Sequence, residues 1–226
     1  MNKAIEPLTF TELEQNRIFA GLSKAQYNLL WQKLKPKYQK IKKGEVVFDE
    51  NDIMGIFGIL KSGSLLGSKI FADGNEHLIL IYLPKEIVGL DIALTKSQKC
   101  PMRIYAAANT EVWWFEIADL LQLNTSATKN IMSILQRNML KILSNESMKK
   151  INKIGFITQK TLRYKILSYL EHFAEKSHTK SFVLPINREQ LAQYLDINRS
   201  TLSHELSLMK QDGLIDFEKN SFTILY

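Results

Sequence analysis

The stretch "LDINRSTLSHELSLMK", Leu195 to Lys210, holds side chains whose spacing could do chemistry. Arg199, Ser200, Ser203, His204 and Ser207 lie within nine residues, while Leu202, Leu206 and Met209 recur at i, i+4 and i+7. That period is helical, so the apolar set forms one face and the polar set the other. An arginine fork matches the two acceptors of guanine in the DNA major groove, and serine can bond several base edges. A helix N-terminus favours phosphate. The chemistry is recognition of a polyanion. No paired carboxylates, metal-ligand cluster, nucleophile elbow or phosphate loop stands out, so no enzyme is expected.

A reading helix must be held by its neighbours. Asn187 is placed as the N-cap of a preceding helix whose apolar side is Leu191, Ala192 and Leu195. Asp196, Ile197 and Asn198 form the turn, and the next helix starts near Asn198 or Arg199. Two short helices on such a turn are a helix-turn-helix. After Gly213, "LIDF" and "FTIL" flank "EKNS" as a hairpin, which would be a wing. "QKTLRYKILSYLEHFAEK" is a helix and "FVLP" a short strand before it all.

The rest of the chain sets the context. The hydrophobic content of 45% is that of a globular protein, and no apolar run approaches a membrane span. The opening "MNKAIEPLTFTELEQNR" has no apolar core like that of a signal peptide. These features, with a lone cysteine, point to the cytoplasm and away from a membrane. Cys100 alone supports neither a disulfide nor a multi-cysteine metal or iron–sulfur site. The net charge is +7, of which residues 124–158 contribute five units. The C-terminal segment therefore has no blanket positive charge, and must place a few cations well.

From Lys40 to Ile117 short apolar or alternating runs such as "IFGILK", "HLILIYL" and "VWWFEI" lie between turn signals, including Asp73-Gly74-Asn75. They predict a small antiparallel barrel or sandwich. Trp113 and Trp114 adjoin in one strand, so they face opposite ways. His77, also in an apolar strand, reads as structural rather than as a haem ligand. From Thr125 to Ile157 the pattern turns helical, with Ile131, Leu135, Met139 and Ile142 as the expected seam with a second copy. Polar Asn138 and Asn145 make that seam imperfect. The fold class is α+β: a jelly-roll-like antiparallel barrel over 1–123, a dimerisation helix over 124–157 and a winged helix-turn-helix over 158–226.

"NREQLAQYLDINRSTLSHELSLMKQDGLI" resembles the helix-turn-helix signature of the Crp/Fnr family of bacterial transcription regulators. Gly44, Gly63, Gly74 and Gly89 are similar to the glycines of that family's cyclic-nucleotide-binding-type barrel. The resemblance implies a homodimer on two-fold symmetric double-stranded DNA, in contact with RNA polymerase. It places base reading at Arg199, Ser200, Ser203 and His204, and phosphate contact at Thr201 and Asn198. Many members carry arginine where this chain has His204, which alters the expected DNA sequence but not the docking.

The resemblance puts the effector pocket near Gly89, Leu90, Asp91, Cys100, Pro101 and Arg103. Cyclic-AMP binders have a glutamate and an Arg-Ser pair there. Leu90 and Cys100-Pro101 stand in those places, and Arg103 would face elsewhere. Cyclic AMP and an iron–sulfur cluster are therefore not supported, and a small effector of another kind is implied. The competing reading is a ligand-binding module acting on a protein partner rather than on DNA.

Overall fold

The computed structural model describes residues 16–226 apart from 73, 124, 126 and 127. Most of the opening stretch, and Asp73 of the expected turn, lie outside the described residues. Contacts divide the chain into two units. One comprises the residues up to Lys69 with Leu80–Glu146, the other Ile70–Ile79 with Ser147–Tyr226.

In the first unit, helix α1 (Lys24–Leu34) opens on a capping box. The Ser23 hydroxyl accepts from the Gln26 N–H, and the Gln26 side chain accepts from the Ser23 N–H. The strands are β1 (Lys37–Ile41), β2 (Val46–Phe48), β3 (Ile56–Ser62), β4 (Leu65–Ile70), β5 (Glu76–Tyr82, of which Glu76–Ile79 belongs to the second unit), β6 (Ile87–Val88), β7 (Arg103–Ala106) and β8 (Thr110–Glu116), with short helices α2 (Leu90–Ala93) and α3 (Ile117–Leu121). They form two four-stranded sheets, ordered β1-β8-β3-β6 and β2-β7-β4-β5. The sheets are open, which corrects the expected closed barrel. β2 has three residues and a register shift between Val46 and Phe48, and β6 has two. Ladders that short cannot join the sheet edges into a ring.

The paired tryptophans face opposite ways. Trp113 meets Trp31 of α1 and Tyr38, each at 4.9 Å between centroids. Trp114 meets Phe48 at 5.7 Å and donates its indole N–H to the Gln39 amide oxygen at 2.7 Å.

Helix α4 (Lys129–Ile157) overturns another expectation. Ile131, Leu135, Met139 and Ile142 are buried in the protomer's own core with Phe19, Leu30 and Trp113. They are not a free seam. Asn138 is buried too, its amide donating to the carbonyls of Ile18 (3.0 Å) and Ala20 (2.8 Å). The apolar residues α4 leaves exposed are Leu140 (67%), Met148 (52%), Ile151 (56%) and Ile154 (57%). At about 100° per residue these fall within an arc of about 120°, on the side away from Leu135.

In the second unit, α5 (Leu162–Ser177), α6 (Arg188–Leu195) and α7 (Arg199–Gln211) pack with a three-stranded sheet of β9 (Ser181–Val183), β10 (Ile215–Glu218) and β11 (Ser221–Ile224). Its order is β10-β11-β9, with both pairings antiparallel. Among the described residues no helix is long and apolar enough to cross a membrane.

Candidate nucleic-acid interface

Two asparagine caps fix the reading helix. Asn187 forms a capping box with Gln190 at the start of α6, each side chain accepting the other residue's N–H at 2.9 Å. The turn passes through Asp196 at φ 55°, where its N–H donates to the Ala192 carbonyl. Aspartate tolerates this left-handed backbone better than most residues. Asn198 then caps α7, its side-chain oxygen accepting the Ser200 N–H at 3.0 Å and the Ser200 hydroxyl at 2.6 Å. A lost cap of this kind costs about 1 kcal/mol.

Packing decides which face looks out. Leu202, Leu206 and Met209 of α7 are fully or almost fully buried, as are Leu191, Ala192 and Leu195 of α6. Arg199, Ser200, Thr201, Ser203, His204 and Ser207 are all exposed. The helix-turn-helix expected from the spacing is therefore present, with its predicted reading residues on one open face. Asn198 and Ser200 have a second duty, since their mutual bond builds the helix start they would present to DNA.

Sequence reasoning missed the supports around this face. Arg163 of α5 donates from Nε to Glu205 and from Nη1 to Asp212, both at 2.6 Å, which ties α5 to the middle and the C-terminal cap of α7. Glu189 of α6 lies 3.3 Å from the Arg199 Nε. Both partners of that pair are exposed, so it is worth about 0–1 kcal/mol and orients the arginine loosely. Only pairs distant in sequence make these contacts, so no local signal reports them. Within the same unit His77 stands edge-on to Phe71 at 5.1 Å, with Nδ1 3.2 Å from the Asp196 carboxylate.

Of the expected effector residues, Gly89, Leu90 and Cys100 are buried, whereas Pro101 and Arg103 are exposed. Gly89 sits at φ 77°, and a Cβ there would meet the buried Met54 thioether at 2.0 Å. Leu90 is buried in the core of the first unit. The Asp91 carboxylate accepts the neighbouring Ile92 N–H at 3.0 Å, and Pro101 is exposed. Arg103 is turned outward, its Nε and Nη2 donating to the two carboxylate oxygens of Asp49 at 3.1 and 3.0 Å. That fork holds the Asp49 carboxyl below the usual range. This arginine serves a surface ion pair, facing elsewhere as the strand register led one to expect.

Cys100 is fully buried and its thiol donates to the Met102 carbonyl at 3.0 Å. Burial pushes the thiol above its ordinary value, so little reactive thiolate forms. Iodoacetamide at pH 8 should leave Cys100 unmodified in the folded protein and label it fully in urea. Rapid labelling of the folded chain by mass spectrometry would contradict this.

Comparison with known proteins follows the same two regions. A Crp-like helix-turn-helix domain matches residues 164–226, and a cyclic nucleotide-binding domain matches 38–126. The chain is 25% identical over 190 residues to the transcriptional activator protein FnrA of Stutzerimonas stutzeri, covering 82% of this chain and 75% of that one. It is 23% identical over 182 residues to electron transport regulator A of Shewanella oneidensis, covering 78% and 70%. Its fold is similar to that of the c-di-GMP responsive global regulator CLP of Xanthomonas campestris, at TM-score 0.72 and 16% identity over 90% of this chain and all of that one. These relatives are regulators, not enzymes. With both family domains present in order and the reading helix capped and exposed, the chain belongs to the Crp/Fnr family of transcription regulators.

Proposed function

We propose that this regulator works in the cytoplasm as a homodimer on two-fold symmetric double-stranded DNA, with one α7 in each of two major grooves. The observation that carries this is the open face of α7, where one arginine and several small hydroxyls surround a helix N-terminus. Small side chains let the backbone come close, and the arginine supplies base discrimination. The exposed stripe of α4, Leu140 to Ile154, supports pairing of two copies, because an unpartnered apolar helix face marks an interface. Family resemblance adds RNA polymerase as a partner of the bound dimer. Selection from random DNA tests the reading. The enriched sites should be inverted repeats, with half-site centres about 34 Å apart. Enrichment of unrelated, asymmetric sequences would overturn it.

The controlling effector is a small molecule other than cyclic AMP. Arg103 is committed to Asp49 on the surface, and Leu90 offers a ribose no polar group. A cyclic phosphate bound in the usual pose would leave its charge uncompensated, which is costly. Calorimetric titration should show no saturable binding of cyclic AMP at micromolar concentration. A micromolar isotherm would contradict this.

A further inference from the structure

The wing carries an orientation problem of its own. Residues 215–224 hold one cation, Lys219 at the hairpin tip, and two carboxylates, Asp216 and Glu218. A wing laid on DNA in the wrong attitude presents carboxylates to phosphates. Beyond the pairing of β11 with β9, contacts from α7, Leu184 and α6 hold it. Lys210 of α7 pairs with Asp216 and so occupies one of the two carboxylates. The Leu184 N–H donates to the Asn220 carbonyl at 2.8 Å. Arg188, the first residue of α6, donates from Nη2 to the Lys219 carbonyl at 2.9 Å. Its guanidinium carbon also lies 5.1 Å from the ring centroids of both Phe217 and Phe222. A planar cation that faces rings and donates in its own plane uses the geometry that arginine has and lysine lacks.

We propose that Arg188 is a positioning residue for DNA binding: it locks the wing tip to the first helix of the helix-turn-helix so that Lys219 meets a backbone phosphate. The residue acts through Lys219 and touches no base or phosphate itself. Its position directly after the Asn187 cap makes the lock rigid with respect to the reading helix. This inference rests on the DNA-binding reading above, and the two fail separately.

A double-mutant cycle tests it, with the duplex recovered by selection as the probe and salt varied from 50 to 200 mM. Lys219→Ala should remove about one phosphate contact, so the affinity ratio between the two salts should shrink by roughly 3.5-fold. Arg188→Met should do the same. Arg188→Lys should follow Arg188→Met, because a lysine cannot donate in the plane of a fork. The double variant Arg188→Met with Lys219→Ala should lose no more than either single one. Base preference should stay unchanged throughout, since only a backbone contact is lost. Losses that multiply in the double variant would show that Arg188 contacts DNA directly and would overturn the proposal. An unchanged salt dependence in Lys219→Ala would overturn it too. If Arg188→Met melts at a lower temperature, Arg188→Lys, which keeps the charge and stem, carries the comparison. Failure of the unaltered protein to bind any selected duplex would instead remove the DNA-binding reading.

Discussion

Arg199→Ala is expected to lose its preference for one base pair in each half-site while keeping its fold and its dimeric state. Arg199 is exposed at the first position of α7, so its removal leaves no cavity. A bidentate arginine–guanine contact discriminates by about 1–3 kcal/mol, or roughly 5- to 150-fold per half-site. Thr201→Ala provides the contrast. If Thr201 bonds phosphate, its loss weakens all sequences alike and leaves the preference intact. Glu189→Gln should act in the opposite direction, because it frees the arginine from a carboxylate 3.3 Å away. The gain should be small, under about 1 kcal/mol, since the pair is exposed. An Arg199→Ala protein with unchanged base preference in binding to single-position duplex variants would remove this residue from the reading set.

The second large effect concerns α4. Ile151→Asp should give monomers that remain folded. Ile151 is 56% exposed in the protomer, so the substitution costs the fold little. In a symmetric pair it would remove two buried side chains, each worth about 1.5–3 kcal/mol, and raise the dissociation constant by about two to four decades. Leu135→Asp should behave differently. Leu135 is fully buried in the protomer's own core, so a charge there is unpaired and costs several kcal/mol of stability. Light scattering with circular dichroism separates the outcomes: a folded monomer for Ile151→Asp and an unfolded or aggregated chain for Leu135→Asp. A folded monomeric Leu135→Asp with a dimeric Ile151→Asp would restore the seam to the other face.

The contrast between these two helices shows what was legible beforehand. In α7 every signal is local. Asn187 caps the preceding helix, Leu202, Leu206 and Met209 repeat at helical steps, and the turn between the two helices is three residues. Local rules settle such a segment, and the structure follows them. In α4 both faces carry apolar residues, Ile131, Leu135, Met139 and Ile142 on one and Leu140, Met148, Ile151 and Ile154 on the other. Periodicity cannot say which face meets its own domain. That choice depends on Phe19, Leu30 and Trp113, far away in sequence. The more regular stripe is the one the protomer buries.

The sheets were legible as antiparallel strands, but their failure to close was not, because closure depends on ladder lengths that short runs do not declare. The effector residues were placed by resemblance alone. Only the structure shows Arg103 drawn away to Asp49. Arg188 carried no signal on its own, since its partners Phe217, Lys219 and Phe222 lie about thirty residues on, across the wing.

Methylation interference on the selected duplex tests the central claim most directly. Dimethyl sulfate places a methyl group on guanine N7, one of the two major-groove acceptors an arginine fork engages. The account predicts interference at one guanine in each half-site, the two lying about one helical turn, roughly 34 Å, apart on one face of the duplex. It also predicts that both signals vanish together in Arg199→Ala. Interference that persists in Arg199→Ala, or that falls only on minor-groove adenines, would contradict it.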